Sequence, residues 1–368
     1  RVLNLLTSGG VGGIEVLCRD IGEFSNVENR FAFLYGGGNV FEQMKSDGKD
    51  VHDINCTPKI SLKRVCRLLR IAKDCNVIIV HHDDPFLQIH FLILLFLLIR
   101  KKYISMVHHC YHSNAEDNKR VFWKGRLRNH ILQIMFRCSD RIIFVSNAGY
   151  ASYTQRFRID TNRARIVYNG ISRRMIQAGK SYYRQPYKGG TIHLYYVGRL
   201  VKIKGVDLLI YAFSCLSDKY DIDLTIIGDG SEQKELKRLV KDSNLENKVV
   251  FDGFLQDVIP CLKKADLFIY PSRTEIFGIS LVEAMAFGNI CIANAVGGIP
   301  EIIKNGVNGF LNDTNDVKGL TEAIKKGIAL LADEEKAKEL ICNAKMTAET
   351  FCVDNTIQNL NNIYAELF

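Results

Sequence analysis

The sequence predicts an α/β protein built from two doubly wound parallel-sheet domains. Short apolar, β-branched runs alternate with amphipathic helical stretches along most of the chain, the pattern of a parallel sheet with helices on both faces. At 368 residues the chain exceeds one typical core and suits two domains. Near the middle, "YRQPYKGG" (Tyr183–Gly190) is polar, carries proline and glycine and lacks periodicity, so it reads as a linker.

Each element follows from its own pattern. "RVLNLLT" is a strand, and a helix runs from the glycines after it to about Phe24. "RFAFLYG" is the next strand, and "SLKRVCRLLRIAKDC" has helical periodicity with a basic face. "NVIIVHH" is a buried strand, "FLQIHFLILLFLLIRK" a helix, and "YISMVHH" a strand. A long basic helix spans about Arg120–Arg137, before the strand "DRIIFVSN". In the second half "TIHLYYVGRL", "DLTIIGDG", "KVVFDGFL", "ADLFIYPS" and "NICIANAV" are strands separated by helical stretches, and helices run to the end. The expected domains are therefore 1–182 and 183–350, with 351–368 crossing back to the first. Domains of this kind bind ligands at the carboxyl ends of their strands, in a cleft.

Composition narrows the function. The chain is 47% hydrophobic and 24% charged, an ordinary globular balance. A net charge of +9 favours an anionic partner: nucleotide, phospholipid or nucleic acid. No nucleic-acid module is recognisable, so nucleic acid is not expected. Eleven cysteines are scattered without a C-x-x-C pair, which indicates neither a zinc site nor a disulfide framework and fits a reducing cytosol. No secretory signal is visible. The apolar run Phe91–Ile99 is nine residues, against about 20 for a membrane span.

Four stretches suggest chemistry. "LLTSGGVGGIEVL" (Leu5–Leu17) is a glycine loop between a strand and a helix. It fails the dinucleotide fingerprint, because Glu15 stands where the third glycine belongs, and it fails the P-loop, because no lysine follows Gly13. The loop admits a close ligand without naming it. In "PSRTEIFGISLVEAMAFGN", Glu275 and Glu283 have seven residues between them and flank Phe277, Gly278 and Ile279 at the start of a helix. Free N–H groups at that start suit a phosphate, and the two acids suit sugar hydroxyls on either side. A loop acid and a solvated helix acid would also fit. "VGRLVKIKG" places Arg199 and Lys204 after a strand, where two cations suit a diphosphate or are simply exposed. "IIGDGSE" puts Gly228 in a turn at another strand end. Asp221 and Asp223 form a D-x-D leading into a strand, and read as a polar loop with no metal.

These motifs, with "VSNAGY", "VYNGIS", "VVFDGFL" and "GGIPEIIKNGVNGFL" in the same order, resemble glycosyltransferase family 4. Those enzymes are retaining nucleotide-sugar transferases of the GT-B fold. The resemblance covers nearly the whole chain and is most specific in the second half. It implies that Glu275 is the first glutamate of the E-x7-E motif and contacts the donor sugar, while Glu283 holds the ribose. It implies that the amides of Phe277, Gly278 and Ile279 meet the diphosphate, with Gly228 in the same donor site. Arg199 and Lys204 would stabilise the departing nucleoside diphosphate. Gly12 and Gly13 would let the backbone close on donor phosphates and acceptor. His108 would lie near the reacting sugar, although the adjacent His109 blurs that register. Where such enzymes usually carry a proline after the motif's helix, this chain has Ile290. The resemblance thus implies a metal-independent transferase without a cofactor, with a nucleotide sugar, a UDP-sugar by expectation, as substrate.

The acceptor expectation rests on one helix, to whose basic patch the helix near Lys63, Arg64, Arg67 and Arg70 adds. Trp123, Leu127, Ile131 and Ile134 fall at helical spacing, and Arg120, Lys124 and Arg128 form a basic row. Such a helix is either core with solvated cations or one that lies on an anionic membrane. The second reading leads to a polyprenyl-diphosphate-linked or other glycan acceptor in polysaccharide synthesis, at the inner face of the plasma membrane. The alternatives are a soluble or protein acceptor, and a catalytically inactive transferase-like partner. A dehydrogenase is disfavoured by the failed fingerprint.

Overall fold

The computed structural model describes residues 1–10, 12–55, 62–82, 101–109 and 119–368, with the side chains of 82 and 119–128 left aside. The apolar run Phe91–Ile99 lies outside the described residues. The chain divides into two compact units, one of Arg1–Gly170 with Val353–Phe368, the other of Ile171–Cys352.

The first unit is built on seven parallel strands: β1 (Val2–Leu6), β2 (Asn29–Phe33), β3 (Asp50–Asp53), β4 (Val77–His82), β5 (Lys102–Val107), β6 (Arg141–Phe144) and β7 (Ala164–Ile166). Their order is β3-β2-β1-β4-β5-β6-β7, and every neighbouring pair is parallel. Its helices are α1 (Gly13–Phe24), α2 (Asn39–Ser46), α3 (Leu62–Ala72), α4 (Lys119–Cys138) and α5 (Asn147–Thr154). β1 is buried at all five positions, as a central strand covered on both faces must be. One core layer gathers Leu3, Leu5, Ile78 and Val80 with Leu68 and Ile71 of α3. The other gathers Leu6, Phe31 and Phe33 with Cys18 of α1 and Phe41 and Met44 of α2.

The second unit has six parallel strands: β8 (Ile192–Val197), β9 (Ile222–Ile227), β10 (Val249–Gly253), β11 (Leu267–Tyr270), β12 (Ile290–Asn294) and β13 (Phe310–Asn312). Their order is β10-β9-β8-β11-β12-β13. The helices are α6 (Arg173–Ser181), α7 (Val206–Ser214), α8 (Gln233–Asp242), α9 (Ile259–Lys264), α10 (Ile279–Ala286), α11 (Ile299–Ile302), α12 (Val317–Leu331) and α13 (Glu334–Thr350). Leu194, Tyr196, Ile226, Ile269 and Phe213 lie at the centre of its core. Each sheet reverses its strand order once, at β1/β4 and at β8/β11. In such sheets these are the points where the loops at the strand carboxyl ends part and leave a crevice.

The division does not fall in Tyr183–Gly190, nor at residue 182, as expected from polarity. Arg184 donates to the carbonyls of Phe287 (3.2 Å) and Leu262 (3.0 Å), and Lys345 donates to those of Gly179 (3.0 Å) and Tyr182 (2.7 Å). α6 also packs on α10 and α13. These contacts clamp the polar stretch onto the second unit, so the boundary lies at Gly170/Ile171, and again at Cys352/Val353. The last helix, α14 (Val353–Ala365), packs on α1, and the Tyr364 phenol lies buried beside Cys18.

This assignment predicts a selective effect. Leu360 of α14 is 1% exposed, so Leu360→Ala leaves a cavity costing about 2–5 kcal/mol. Hydrogen exchange by mass spectrometry should quicken in α1 and β1, with β8 to β13 unchanged.

Candidate active site

The second unit's crevice is lined by two loops. One follows β8 and runs through a 3-10 turn at Lys202–Lys204. The other follows β11 and leads through Pro271–Gly278 into α10, with Gly278 as the capping residue. Lys204 and Glu275 meet between them: Lys204 Nζ lies 2.5 Å from Glu275 Oε2, with the two side chains 13% and 12% exposed. The Tyr270 hydroxyl, at the end of β11, donates to the same oxygen at 2.5 Å. Lys204 Nζ also lies 3.3 Å from Tyr270 Oη. The Ile276 N–H reaches Glu275 Oε1 at 3.3 Å. Burial pushes the Glu275 carboxyl up, but Lys204, Tyr270 and the Ile276 amide together outweigh it and hold the carboxyl below its usual range. Burial, then the Glu275 carboxylate, pushes the Tyr270 phenol well above its ordinary value.

Both loops are braced. Arg273 makes a two-pronged pair with Asp207 of α7 (2.6 and 2.7 Å) and donates to the Lys202 carbonyl at 2.9 Å. Behind Glu275, Gly297 has φ +52, and a Cβ there would stand 1.7 Å from the Glu275 carbonyl oxygen. Only glycine fits that place. Gly228, after β9, has φ +136, and a Cβ there would stand 1.9 Å from the Gly198 carbonyl oxygen. Gly228 thus sets how closely the β8 and β9 loops pack.

The other expected residues fall into distinct settings. Arg199 is exposed on the β8 loop, its carbonyl held by the Tyr196 hydroxyl at 3.0 Å, and its guanidinium makes no ion pair among the described residues. Phe277 is buried edge-on against Phe351 (5.2 Å), so its side chain anchors the loop. Ile279 and Glu283 are half-buried on α10, and first-turn amides such as that of Ile279 lack a carbonyl within the helix. Asp221 and Asp223 sit at the amino edge of β9, taken up by Thr191 (3.0 Å) and His193 (2.8 Å). A cavity of about 270 Å³ at the amino ends of β8 and β11, lined by Arg184, Tyr187, His193, Lys263 and Asp266 among others, shares no residue with the Lys204–Glu275 cluster.

In the first unit, Gly12 caps α1 and Gly13 is its first residue. A Cβ at Gly12 would meet Glu15 Oε2 at 2.4 Å, so Glu15 fills the space beside the loop. His108 and His109 follow β5, and the structure separates them: His108 is 4% exposed, whereas His109 is exposed. His108 Nε2 lies 3.0 Å from His81 Nδ1, and burial lowers the His81 pKa to about 3. Arg120, Trp123, Lys124 and Arg128 belong to α4, but their side chains lie outside the described residues. The sequence reading missed Tyr270, Arg273, Asp207 and His81. An aromatic residue closing the strand "LFIY" was the signal for the first.

The cluster makes a pH prediction. The folded carboxyl of Glu275 lies below its unfolded value, so its pairing contributes stability that is full above the unfolded value and is lost as pH falls through the folded one. In Lys204→Met the burial remains and the cation is gone, so the carboxyl should titrate above the ordinary range of about 4.3. Carbon-13 carboxyl NMR should show the two proteins on opposite sides of that value.

Comparison with known proteins follows the two units. The family model "Glycosyltransferase Family 4" matches residues 28–174, and the model "Glycosyl transferases group 1" matches 184–347. N-acetyl-alpha-D-glucosaminyl L-malate synthase of Bacillus anthracis is 30% identical over 246 residues, 65% of this chain and 63% of its own. The GPI3 subunit of phosphatidylinositol N-acetylglucosaminyltransferase from Saccharomyces cerevisiae is 26% identical over 215 residues, 55% of this chain and 46% of its own. The matched part thus spans less than two thirds of either relative's length. Among solved structures, Anabaena HepE in complex with UDP superposes with a TM-score of 0.82 at 22% identity, over 100% of both chains. The two-unit architecture is the GT-B fold. With a Family 4 match in its first unit and a group 1 match in its second, the chain is a relative of the GT-B glycosyltransferases.

Proposed function

We propose that the chain is a retaining glycosyltransferase that moves a sugar from a UDP-sugar to a glycan acceptor, without a metal ion. The observation that carries this reading is the buried Lys204–Glu275–Tyr270 cluster at the β8/β11 crevice, with the exposed Arg199 on the same loop as Lys204. Breaking the bond between the anomeric carbon and the phosphate oxygen develops positive charge on the sugar and negative charge on the diphosphate. Arg199 and Lys204 stabilise the second charge. The amides of Phe277, Gly278 and Ile279 hold the diphosphate and Glu283 the ribose. Gly228 shapes the donor loop. Glu275 contacts the sugar, kept ionised and oriented by its own partners. The acceptor oxygen bonds to the anomeric carbon on the face the diphosphate leaves, and the acceptor's proton passes to the departing phosphate oxygen. Gly12, Gly13 and His108 serve the donor phosphates and the reacting sugar from the first unit. UDP is supported by the likeness to HepE, which was captured with UDP.

Screening a panel of nucleotide sugars for transfer and hydrolysis tests the reading. Arg199→Ala, Lys204→Ala and Glu275→Ala should each lower turnover about 10²–10³-fold. Turnover should survive a chelator. UDP binding in calorimetry with no turnover of any donor would favour the inactive-partner reading instead. Wild-type turnover in an Arg199→Ala, Lys204→Ala double variant would remove the leaving-group assignment.

The acceptor reading is a lipid-linked glycan, such as one on a polyprenyl diphosphate, met by peripheral attachment to an anionic cytoplasmic leaflet in cell-surface polysaccharide synthesis. Two observations support it. Lys63, Arg67 and Arg70 stand exposed on α3, opposite its buried Val65, Leu68 and Ile71. The yeast relative is named for a phosphatidylinositol acceptor. Among the described residues no helix is long and apolar enough to cross a membrane. Each exposed cation near such a surface contributes about 1 kcal/mol. Co-sedimentation with vesicles should rise with phosphatidylglycerol content and fall with salt. Glutamate at Lys63, Arg67 and Arg70, or at Arg120, Lys124 and Arg128, should weaken it. Protein that stays in the supernatant at low salt would point to a soluble or protein acceptor.

A further inference from the structure

Three strands lie side by side at the centre of the first sheet: β1, β4 and β5. A row of buried polar side chains crosses them. Asn4 on β1 is 0% exposed, His81 on β4 is 1% exposed, and His108 just past β5 is 4% exposed. The row continues to Asn29 on β2 and ends on the Val27 carbonyl.

The direction of every hydrogen bond in this row follows from that end. A carbonyl only accepts, so the Asn29 amide turns its NH₂ to Val27 O, 2.7 Å away. Asn29 Oδ1 therefore faces Asn4 and accepts from Asn4 Nδ2 at 3.0 Å. Asn4 Oδ1 is left facing His81 Nε2 at 3.2 Å, so that nitrogen carries the proton. Cys18 Sγ, 3.5 Å from the same nitrogen, is a second, weaker acceptor for it. His81 is neutral, its pKa lowered by burial to about 3, so its Nδ1 keeps a lone pair. That lone pair, 3.0 Å from His108 Nε2, requires the proton of His108 to sit on Nε2. The two rings stack at 5.2 Å with 20° between their planes, which fixes the His108 ring plane as well.

We infer that Val27, Asn29, Asn4 and His81 form a one-way hydrogen-bond relay that sets the tautomer of His108. His108 thereby keeps its lone pair on Nδ1, a buried atom. His81 and Asn4 are positioning residues, acting through His108. The functional side of this inference rests on the transferase reading, in which His108 meets the reacting sugar.

Long-range proton–nitrogen NMR on ¹⁵N-histidine-labelled full-length protein tests the relay without turnover. The expected spectrum of His108 is that of a neutral ring protonated on Nε2. In His81→Leu the tautomers should mix. In His81→Gln they should not, because the amide oxygen can accept from His108 and the NH₂ can donate to Asn4. A proton on Nδ1 of His108 in the unsubstituted protein, or a mixed population there, overturns the relay, and that spectrum decides alone should His81→Leu not fold. In kinetics, kcat should fall roughly tenfold in His81→Leu, the worth of about one hydrogen bond, and recover in His81→Gln. Equal kcat in all three proteins overturns the positioning role. Loss of the relay with intact turnover leaves the transferase reading standing. Absence of turnover with an Nε2 proton leaves the relay standing.

Discussion

Parallel pairing is the constraint on which the rest of this structure depends. When every strand in a sheet runs the same way, all carboxyl ends meet one edge and each crossover must carry a helix back. Both sheets obey this throughout. The consequence is that residues far apart in the chain arrive together: the loops after β8 and β11 put Lys204 beside Glu275, 71 positions apart. The strand-order reversal opens a crevice at that place and fills it with polar groups that core packing could not use.

The Lys204–Glu275 pair illustrates how a charged site survives burial. Two ions taken from water lose hydration, and attraction between them compensates only with good geometry and extra hydrogen bonds. Tyr270 and the Ile276 amide supply those bonds on the carboxylate. Removing one partner of such a pair typically costs about 3–5 kcal/mol. The geometry is imposed from outside the pair: Arg273 and Asp207 tie the loops together, and Gly297 lets the Glu275 backbone come close. Lys204 is therefore no isolated cation waiting for a diphosphate. It is already part of a neutralised cluster, while Arg199 remains exposed.

The first unit places a different chemistry at its own reversal. Its row of Asn29, Asn4, His81 and His108 carries no formal charge, and each link has one donor and one acceptor. A neutral chain avoids the desolvation of ions and instead specifies direction, which charge pairs do not. The two units thus hold polar groups in buried settings by two means, ionic compensation in one and complementary hydrogen bonding in the other.

Much of this was legible in the chain itself. Alternating strand and helix patterns identified both sheets, because central parallel strands are apolar at nearly every position, as in "LFIY" and in "VLNLL", where Asn4 is the one polar residue. The short edge strands β3, "DVHD", and β13, "FLN", carry too little apolar signal to be read that way. The E-x7-E spacing, the cations after β8 and the glycine turns stand in the sequence, because local chemistry dictates residue types at fixed offsets. What the sequence by itself determined was the class of fold and the short motifs within single loops. The tertiary structure alone decided that Lys204 pairs with Glu275, that Tyr183–Gly190 is clamped to the second unit, and that His108 rather than His109 turns inward onto His81. Each depends on contacts between segments remote in sequence, and a parallel sheet brings such segments together through its crossovers, which no local pattern encodes.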